Sequence, residues 1–213
     1  MKVLTLASSP RALEDAVSKS IEILKRGGII VAPTETAYGL VTNAKDKSAL
    51  HKLFKLKQRS MDKPSAIFIE SADNLKDYMI EIEAQRMKKI KLLWPGPITF
   101  VLKSGLPAWE GVLSKEGKIG FRCSSHKFIS TLFKKYRRPL TATSANISGK
   151  IPTSIDEIKT IFSEYIELFI VDPVLNFNSL PSTVVELTDN NLKILREGVV
   201  QSELIIETFR SDK

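Results

Sequence analysis

The sequence is poor in the residues that form disulfides and bind transition metals. It has one cysteine, Cys123, and two histidines, His51 and His126, among 213 residues. One cysteine cannot form an internal disulfide, and chains without disulfides are typical of the reducing cytoplasm. The three residues also lack the spacing of zinc ligands, so we expect no metal site made by the protein alone.

Long hydrophobic runs and familiar nucleotide-binding motifs are absent too. No stretch approaches the roughly 18 uninterrupted apolar residues that span a bilayer, and residues 1–11 lack the layout of a secretory signal. There is no Gly-x-x-x-x-Gly-Lys-Ser/Thr phosphate loop and no Gly-x-Gly-x-x-Gly dinucleotide turn. No nucleophile stands beside a base. We therefore expect a cytoplasmic protein without membrane contacts, and we assign no catalytic residue.

The residues that are present describe a globular protein with excess positive charge. Hydrophobic residues make up 43% of the chain and charged residues 26%, which are ordinary values. Lysine and arginine number 32 against 24 acidic residues, a net charge of +8. This excess either keeps the protein in solution or lines a cleft for phosphates or nucleic acid.

Hydrophobic patterning predicts alternating helices and strands, the mark of an α/β fold. No repeat, low-complexity stretch or linker interrupts the pattern, so we expect one domain over residues 1–213. Short apolar runs predict eight strands, at residues 29–31, 66–69, 99–102, 119–122, 140–143, 169–171, 183–187 and 192–195. The prediction is a twisted, mixed open sheet with helices packed on it.

Three helices are predicted from spacing and capping residues. Apolar residues recur at helical spacing over residues 12–24, and Gly27 then stops that helix. A second helix begins near Ser48. Ser154 and Glu157 form the pattern of a capping box, which starts a third helix.

Polar motifs follow several of these strands where each ends, and such strand ends are where open α/β sheets bind ligands. The hydroxyl-rich turn at 33–40 either presents oxygens and amides to a polar ligand or is a plain turn capped by its threonines. The basic segment at 55–64 either holds a triphosphate or is a solvated helix end that complements the helix dipole.

The remaining motifs divide between structural and ligand-binding interpretations. We expect Trp94, in the rigid turn at 94–99, to pack rather than to touch a ligand. Arg122 at a strand end suits a carboxylate or phosphate gripped in bidentate fashion. The small residues at 143–149 let a phosphate approach backbone amides, or form a capped turn.

Together and in this order, the motifs resemble those of the YrdC-like threonylcarbamoyl-AMP synthase family in its single-domain form. The matching segments are PTETAYGL (33–40), KQRSMDKP (57–64), WPGPITF (94–100), IGFR (119–122), TSANISG (143–149), PSTVV (181–185) and LREG (195–198). Each motif alone is unspecific, but the seven in order cover nearly the whole chain, from about residue 10 to 200.

The resemblance implies a twisted α/β fold with a concave, positively charged cavity. It implies a nucleotidyltransferase, L-threonylcarbamoyladenylate synthase, that condenses L-threonine, bicarbonate or CO₂ and ATP, with Mg²⁺, to threonylcarbamoyl-adenylate and pyrophosphate. A downstream tRNA threonylcarbamoyl transferase would then use the adenylate to make N6-threonylcarbamoyladenosine at position 37 of tRNA. The basic surface permits direct RNA binding without requiring it.

The resemblance also implies which side chains face each substrate. The threonine-side residues are Thr36, Arg122, Ser182 and Thr183. The ATP-side residues are Lys57, Arg59, Lys63, Ser144, Asn146 and Arg196. Three departures bear on these contacts: Ser60 replaces the proline of many members, Phe68 replaces a histidine expected near threonine, and Cys123 and Ser124 replace the usual residues after Arg122.

Two other classes of protein compete with this interpretation. A non-enzymatic RNA-binding module would bind the phosphate backbone with steep salt dependence, but it has no need for hydroxyl-rich loops at several strand ends. Few exposed aromatic residues are evident for base stacking. A carbamoyl-transferring maturation module of similar sequence normally lies within a much longer chain, and the length of this one disfavours it.

Overall fold

The computed structural model describes residues 2–6, 9–148, 152, 154–175, 180–188 and 191–210. Within these residues the strands are β1 (Lys2–Thr5), β2 (Ile30–Pro33), β3 (Tyr38–Val41), β4 (Ala66–Phe68), β5 (Ile98–Lys103), β6 (Lys118–Arg122), β7 (Leu140–Ser144), β8 (Leu168–Val171), β9 (Thr183–Thr188) and β10 (Asn191–Arg196). The α-helices are α1 (Pro10–Lys25), α2 (Lys47–Leu56), α3 (Ala84–Leu93), α4 (Lys127–Tyr136), α5 (Ile155–Phe162) and α6 (Ser202–Arg210), and a 3₁₀ helix spans Ala72–Tyr78. Gly149, the last residue of one predicted motif, lies outside the described residues.

These strands form one sheet in the order β1-β8-β2-β3-β7-β4-β6-β5-β9-β10. Strands pair in parallel at β1/β8, β2/β8, β4/β6 and β5/β9. They pair antiparallel at β2/β3, β3/β7, β4/β7, β5/β6 and β9/β10. The predicted mixed open sheet flanked by helices is therefore confirmed.

All eight predicted strands are present, each with ends within two residues of the prediction. Strands β1 and β3 were not predicted, nor were α3, α4 and α6. The segment at 33–40 was interpreted as a turn, and its second half is in fact strand β3. Gly39 lies opposite both Ala32 and Ser144, so the motif turns tightly after β2 and then runs between two strands.

Local capping explains where two of the predicted helices begin. Helix α1 starts because the Ser9 hydroxyl accepts the Ala12 amide at 3.2 Å and Pro10 occupies its first turn. It ends before Gly27, whose φ of 76° is a left-handed conformation that suits glycine. Helix α5 starts at Ser154, whose hydroxyl accepts the Glu157 amide at 3.1 Å.

One region of the sheet, which we call the covered half, consists of β8 and β2 and is buried on both faces. Ile30 and Leu168 pack beneath α1 and α4. Val31 and Phe169 point to the opposite face, where they join a second cluster that includes Phe162 of α5. Because both faces are buried, these strands are apolar at consecutive positions.

The other region, the cavity half, consists of β7, β4, β6, β5, β9 and β10. Ile67, Phe100 and Phe121 pack on one face in a cluster shared with the 3₁₀ helix, α3 and α6. The alternate residues of the same strands, Thr99 and Gly120 among them, line a cavity on the opposite face. Side chains alternate between the two faces because the strand period is two residues.

Within the turn at 94–99, Trp94 has the structural role predicted for it. Trp94 is buried, its indole N–H donates to the Ile98 carbonyl at 2.9 Å, and its ring lies 5.1 Å from that of Phe100. The prediction that Trp94 packs is confirmed. Among the described residues, no helix is both long enough and apolar enough to cross a membrane.

Candidate functional site

The cavity half carries a cavity of about 360 Å³ with a floor of small residues. Ala142 and Ala66 lie opposite each other on β7 and β4. A Cβ added to Gly120 would come within 3.0 Å of the Ala66 Cβ, so the floor stays open because glycine occupies this position. The size is at the lower end for small-molecule sites.

Three arginines converge on this cavity from distant parts of the chain: Arg59, Arg122 and Arg196. Burial lowers the pKa of Arg196, and repulsion from Arg122 and Arg59 lowers it further. Burial also lowers the pKa of Arg59. Three guanidinium groups close enough to repel one another are best stabilised by an anionic ligand.

One end of the cavity combines both signs of charge. Lys118, Glu116 and Glu186 all line it. The Lys118 ammonium pairs with the Glu186 carboxylate at 2.8 Å and with Glu116 at 3.3 Å. This end therefore carries one more carboxylate than ammonium group, and the net positive charge of the wall comes from the arginines.

Thr36, Arg122 and Ser182, three of the threonine-side residues, lie on the cavity wall. The Thr36 hydroxyl accepts a hydrogen bond from Arg122 Nη2 at 2.6 Å. The Ser182 hydroxyl lies 3.0 Å from that of Thr99. Arg122 ends β6 and Ser182 directly precedes β9, and both of these strands pair with β5, which carries Thr99. The hydroxyls of Thr36, Thr99 and Ser182 and the guanidinium of Arg122 therefore lie in one region of the wall.

Thr183, the fourth threonine-side residue, does not reach the wall. It is fully buried, and its hydroxyl donates to the Val200 carbonyl at 2.6 Å while accepting the Val200 amide at 3.2 Å. Thr183 therefore ties the start of β9 to the segment before α6. The structure gives it a supporting place rather than a place beside a ligand.

Arg59, Ser144 and Arg196, three of the ATP-side residues, also lie on the wall. Arg59 is oriented by its own loop, since Nε donates to the Lys63 carbonyl at 2.7 Å and Nη2 to the Pro64 carbonyl at 3.0 Å. Arg196 Nη2 donates to the Ser182 carbonyl at 2.8 Å. The ATP-side Arg196 thus contacts the threonine-side Ser182 directly.

Lys57 is buried behind the wall instead of on it. Its ammonium donates to the carbonyls of Ser144 and Asn146 and to the Asn146 side-chain oxygen. Burial, followed by repulsion from Arg59, lowers the pKa of Lys57 to about 7. Gln58 has a left-handed φ of 50°, so Lys57 and Arg59 leave the loop in different directions.

Two further ATP-side predictions lie near the wall without lining it. Asn146 accepts hydrogen bonds from Lys57 and from the Ser144 hydroxyl, at 2.9 and 2.6 Å. Lys63 has an exposed side chain, and its backbone carbonyl accepts the bond from Arg59. Both residues therefore shape the loops that carry Ser144 and Arg59.

Glu35 is a residue of this site that the sequence analysis missed. Its Oε1 accepts from Arg122 Nη2 at 2.9 Å, and its Oε2 accepts the Ser124 hydroxyl. Burial tends to raise the pKa of Glu35, but Arg122 and Ser124 outweigh burial and lower that pKa below its usual value. The signal that could have revealed Glu35 is its position, since it is a carboxylate in the motif that directly follows the buried strand β2.

Lys118, Glu186 and Thr99 were missed as well, although a periodic signal pointed to them. Lys118 and Arg122 are even-numbered residues of β6, so both must face the side of the sheet that carries Gly120. The same alternation places Glu186 of β9 on the cavity face. With Arg122 assigned to a ligand, the two-residue period of the strand predicts that Gly120 and Lys118 face the same side.

Known proteins with this pattern of motifs and this fold share one family. The family model described as Telomere recombination, which represents Sua5, YciO and YrdC, matches residues 22–198. The chain belongs to the Sua5, YciO and YrdC family.

Curated relatives of this family member include threonylcarbamoyl-AMP synthases. A putative threonylcarbamoyl-AMP synthase of Methanocaldococcus jannaschii is 32% identical over 192 residues, 88% of this chain and 89% of that protein. The threonylcarbamoyl-AMP synthase of Pyrococcus abyssi is 34% identical over 183 residues, 85% of this chain and 54% of that protein. The chain thus spans about half of the length of the Pyrococcus protein.

A solved structure of the Sua5, YciO and YrdC family has the same fold. The crystal structure of P. abyssi Sua5 complexed with L-threonine matches with a TM-score of 0.83 and 30% identity, over 98% of this chain and 60% of that one. The family resemblance deduced from the seven motifs is confirmed.

Two of the departures noted with the resemblance have defined positions in the structure. Phe68, where the resemblance leads us to expect histidine, lines the cavity, and its ring centroid lies 5.9 Å from the Arg122 guanidinium carbon. A cation can rest on an aromatic face at that distance. Ser60 closes its turn, since its hydroxyl accepts the Asp62 amide at 3.3 Å.

Proposed function

We propose that this protein is an L-threonylcarbamoyladenylate synthase, a nucleotidyltransferase that joins L-threonine, bicarbonate or CO₂ and ATP and releases pyrophosphate. One observation carries the proposal: each of the seven motifs, spread over residues 33–198, contributes at least one residue to the wall of a single cavity. A cavity lined by residues so far apart in sequence is what a ligand site assembled by the fold would require, and this supports the proposal.

The threonine side would bind the amino acid by its carboxylate and hydroxyl. Arg122 supplies the positive charge, and Thr36 and Ser182 supply hydroxyls beside it. Phe68 beneath Arg122 fills the position of the usual histidine with an apolar face. We therefore expect the carboxylate of threonine to lie against Arg122, with its amine toward the middle of the cavity.

The nucleotide side would hold the phosphates with Arg59 and Arg196 and with the backbone around Ser144. Carbamate forms on the threonine amine, and its oxygen then attacks the α-phosphorus of ATP as pyrophosphate leaves. Such a transfer depends mainly on positioning and on neutralising charge, so a site without an assigned base suits it. The arginines would neutralise the charge that builds up on the leaving pyrophosphate.

Mg²⁺ would enter this cavity with the phosphates of ATP. Among the described residues there is no group of three His, Cys, Asp or Glu side chains arranged to hold a metal ion. Mg²⁺ commonly keeps its waters and binds through substrate phosphates, with few protein ligands. We therefore derive no step from a protein-bound metal.

The product would pass to a tRNA threonylcarbamoyl transferase that makes N6-threonylcarbamoyladenosine at position 37. We place the protein in the cytoplasm, which agrees with Cys123 being a free, buried thiol. We also take residues 1–213 as one catalytic unit, since the wall draws on residues from Thr34 to Arg196. Glu116 and Glu186 on that wall disfavour a groove for an RNA phosphate backbone.

Pyrophosphate release from ATP tests the proposal when it is measured with and without L-threonine and bicarbonate. Release is expected only when all three substrates are present, and mass spectrometry should detect threonylcarbamoyl-AMP. Release that is unchanged when threonine is omitted would contradict the proposal.

The Arg59→Glu variant tests the nucleotide side of the cavity. We expect the rate to fall about 100-fold or more, because a charge that neutralises the phosphates becomes a repulsive one. Arg11→Glu is the matched control, since Arg11 is exposed in the first turn of α1. Full activity of Arg59→Glu would show that ATP binds elsewhere.

A further inference from the structure

Arg122 makes its hydrogen bonds within the protein almost entirely through one edge of the guanidinium group. Nε and Nη2 both donate to Glu35 Oε1, at 3.3 and 2.9 Å, and Nη2 also donates to the Thr36 hydroxyl at 2.6 Å. Arginine has five N–H donors in a fixed plane. Three of them are therefore in use, and the two on Nη1 have no partner within the described part of the chain.

This arrangement excludes a bidentate grip on a ligand carboxylate. A bidentate pair needs two neighbouring nitrogens of the guanidinium, and both such pairs include Nη2. Because Nη2 already gives its hydrogens to Glu35 and Thr36, Nη1 is the nitrogen left for a ligand. Sequence analysis predicted a bidentate grip by Arg122, which would require Glu35 to leave.

Glu35 is held in a way that resists such a displacement. Its second oxygen accepts the Ser124 hydroxyl, and its side chain is only 14% exposed. Glu35 itself does not line the cavity. A carboxylate removed from Arg122 would remain buried without its ion-pair partner, which is strongly unfavourable.

Ser124 connects this pair to helix α4. Its hydroxyl accepts the His126 amide at 3.2 Å while donating to Glu35. His126 in turn caps α4 by accepting the Phe128 amide through Nδ1.

We propose that Glu35 and Ser124 are positioning residues that hold Arg122 with Nη1 as its ligand-binding nitrogen. The threonine carboxylate binds Nη1 while Glu35 stays in place behind the guanidinium. The inference rests on the proposed function, in that it takes L-threonine as the ligand at Arg122. Its alternative is that Glu35 occupies the carboxylate position and must be expelled by threonine.

The two possibilities predict opposite changes in threonine affinity. With Glu35→Gln, a positioning role raises the KM for threonine about tenfold, because the guanidinium is no longer held by charge. The kcat and the KM for ATP should stay within about twofold, since the nucleotide contacts are elsewhere. A KM for threonine that is unchanged or lower overturns the proposal.

Ser124 supplies a second pair of variants with a milder effect. We expect Ser124→Ala to raise the KM for threonine about threefold, the usual range for one lost hydrogen bond. Ser124→Thr keeps the hydroxyl and should restore the wild-type value. Equal values for the alanine and threonine variants would remove Ser124 from the proposal.

Matched controls and a binding measurement separate this inference from the proposed function. Glu164→Gln and Ser163→Ala are exposed positions after α5 and should leave every constant unchanged. Calorimetric titration with L-threonine measures binding without turnover, so it decides the inference even if pyrophosphate release fails. Absence of threonine binding to the wild-type protein would overturn the inference, and circular dichroism checks that each variant is folded.

Discussion

The covered half and the cavity half belong to one sheet and share the same strand geometry, but their side chains serve different purposes. In β2 and β8, residues on both faces are apolar, because helices cover each face. In β6, apolar Ile119 and Phe121 alternate with Lys118, Gly120 and Arg122, because one face packs and the other lines the cavity. One mixed sheet can therefore have some strands that only pack in the core and other strands that carry the cavity-lining side chains.

This separation has a consequence for the energy of each substitution. Residues of the covered half contribute mainly to the free energy of unfolding, since they lose contacts on both sides when truncated. We expect residues on the cavity face to contribute mainly to ligand binding. The four predictions below test that division, from the largest expected effect to the smallest.

Filling the floor of the cavity should abolish activity without unfolding the protein. Gly120→Leu places a side chain over Ala66 and into the cavity. We expect kcat/KM to fall about 100-fold, while the free energy of unfolding changes by about 1 kcal/mol. Lys193→Leu on β10 is the exposed control. Retained activity in Gly120→Leu would mean that the substrates bind away from this floor.

The same substitution in each half should give different stabilities. Val31→Ala removes two methyl groups from the fully buried covered half and should cost about 2 kcal/mol. Val101→Ala, on the cavity wall, should cost less than about 0.5 kcal/mol, because its methyl groups border open space. Urea denaturation followed by tryptophan fluorescence measures both. Equal losses would remove the distinction between the halves.

Buried Lys57 should make stability depend on pH. Its pKa is about 7 in the folded protein and 10.5 ordinarily, so between these values the unfolded chain binds more protons. Stability should therefore rise with pH, by about 1 kcal/mol between pH 7 and pH 8 from this group. Lys57→Met should lack this increment in a comparison of unfolding free energies. A parallel pH dependence in both proteins would show that the ammonium stays charged.

Labelling of Cys123 tests whether neighbouring residues at the end of β6 face opposite sides of the sheet. Arg122 faces the cavity, whereas Cys123 is buried in the cluster on the opposite face. Burial, with Glu35 and Glu70 nearby, raises the pKa of this thiol to about 11. At pH 8 about one molecule in a thousand is then a thiolate, so iodoacetamide should label only unfolded protein. Rapid labelling of the folded protein would place Cys123 at the surface.

Much of the fold was predictable because buried short strands leave a strong local pattern. The eight predicted strands are contiguous apolar runs that end at polar or glycine residues, as at residues 66–69. Strand β3 was missed because its Tyr38 and Gly39 follow hydroxyl residues that are typical of a turn. Helix α4 was missed because its cap is His126, a residue that rarely marks a helix start.

The candidate site was predictable as a set of motifs but not as a set of contacts. Motif order placed Arg59, Arg122 and Arg196 in one cavity, as the structure has them. Which way a side chain leaves a loop depends on one backbone angle, as at Gln58, and composition does not reveal it. The resemblance places Lys57 on the ATP side, and in the structure its ammonium is bonded to the loop of Asn146. The ligand contacts themselves stay predictions.

The close contact between the motifs at 181–185 and 195–198 bears on the order in which the cavity wall forms. The backbone at Gly198 lies against Ser182 so tightly that a Cβ there would meet backbone atoms 2.5 Å or less away. Arg196 and Ser182 therefore reach the cavity only when the end of the sheet has formed. During synthesis the earlier wall, with Arg59 and Arg122, leaves the ribosome long before these partners. The cavity wall is therefore complete only after β9 and β10 have joined the sheet.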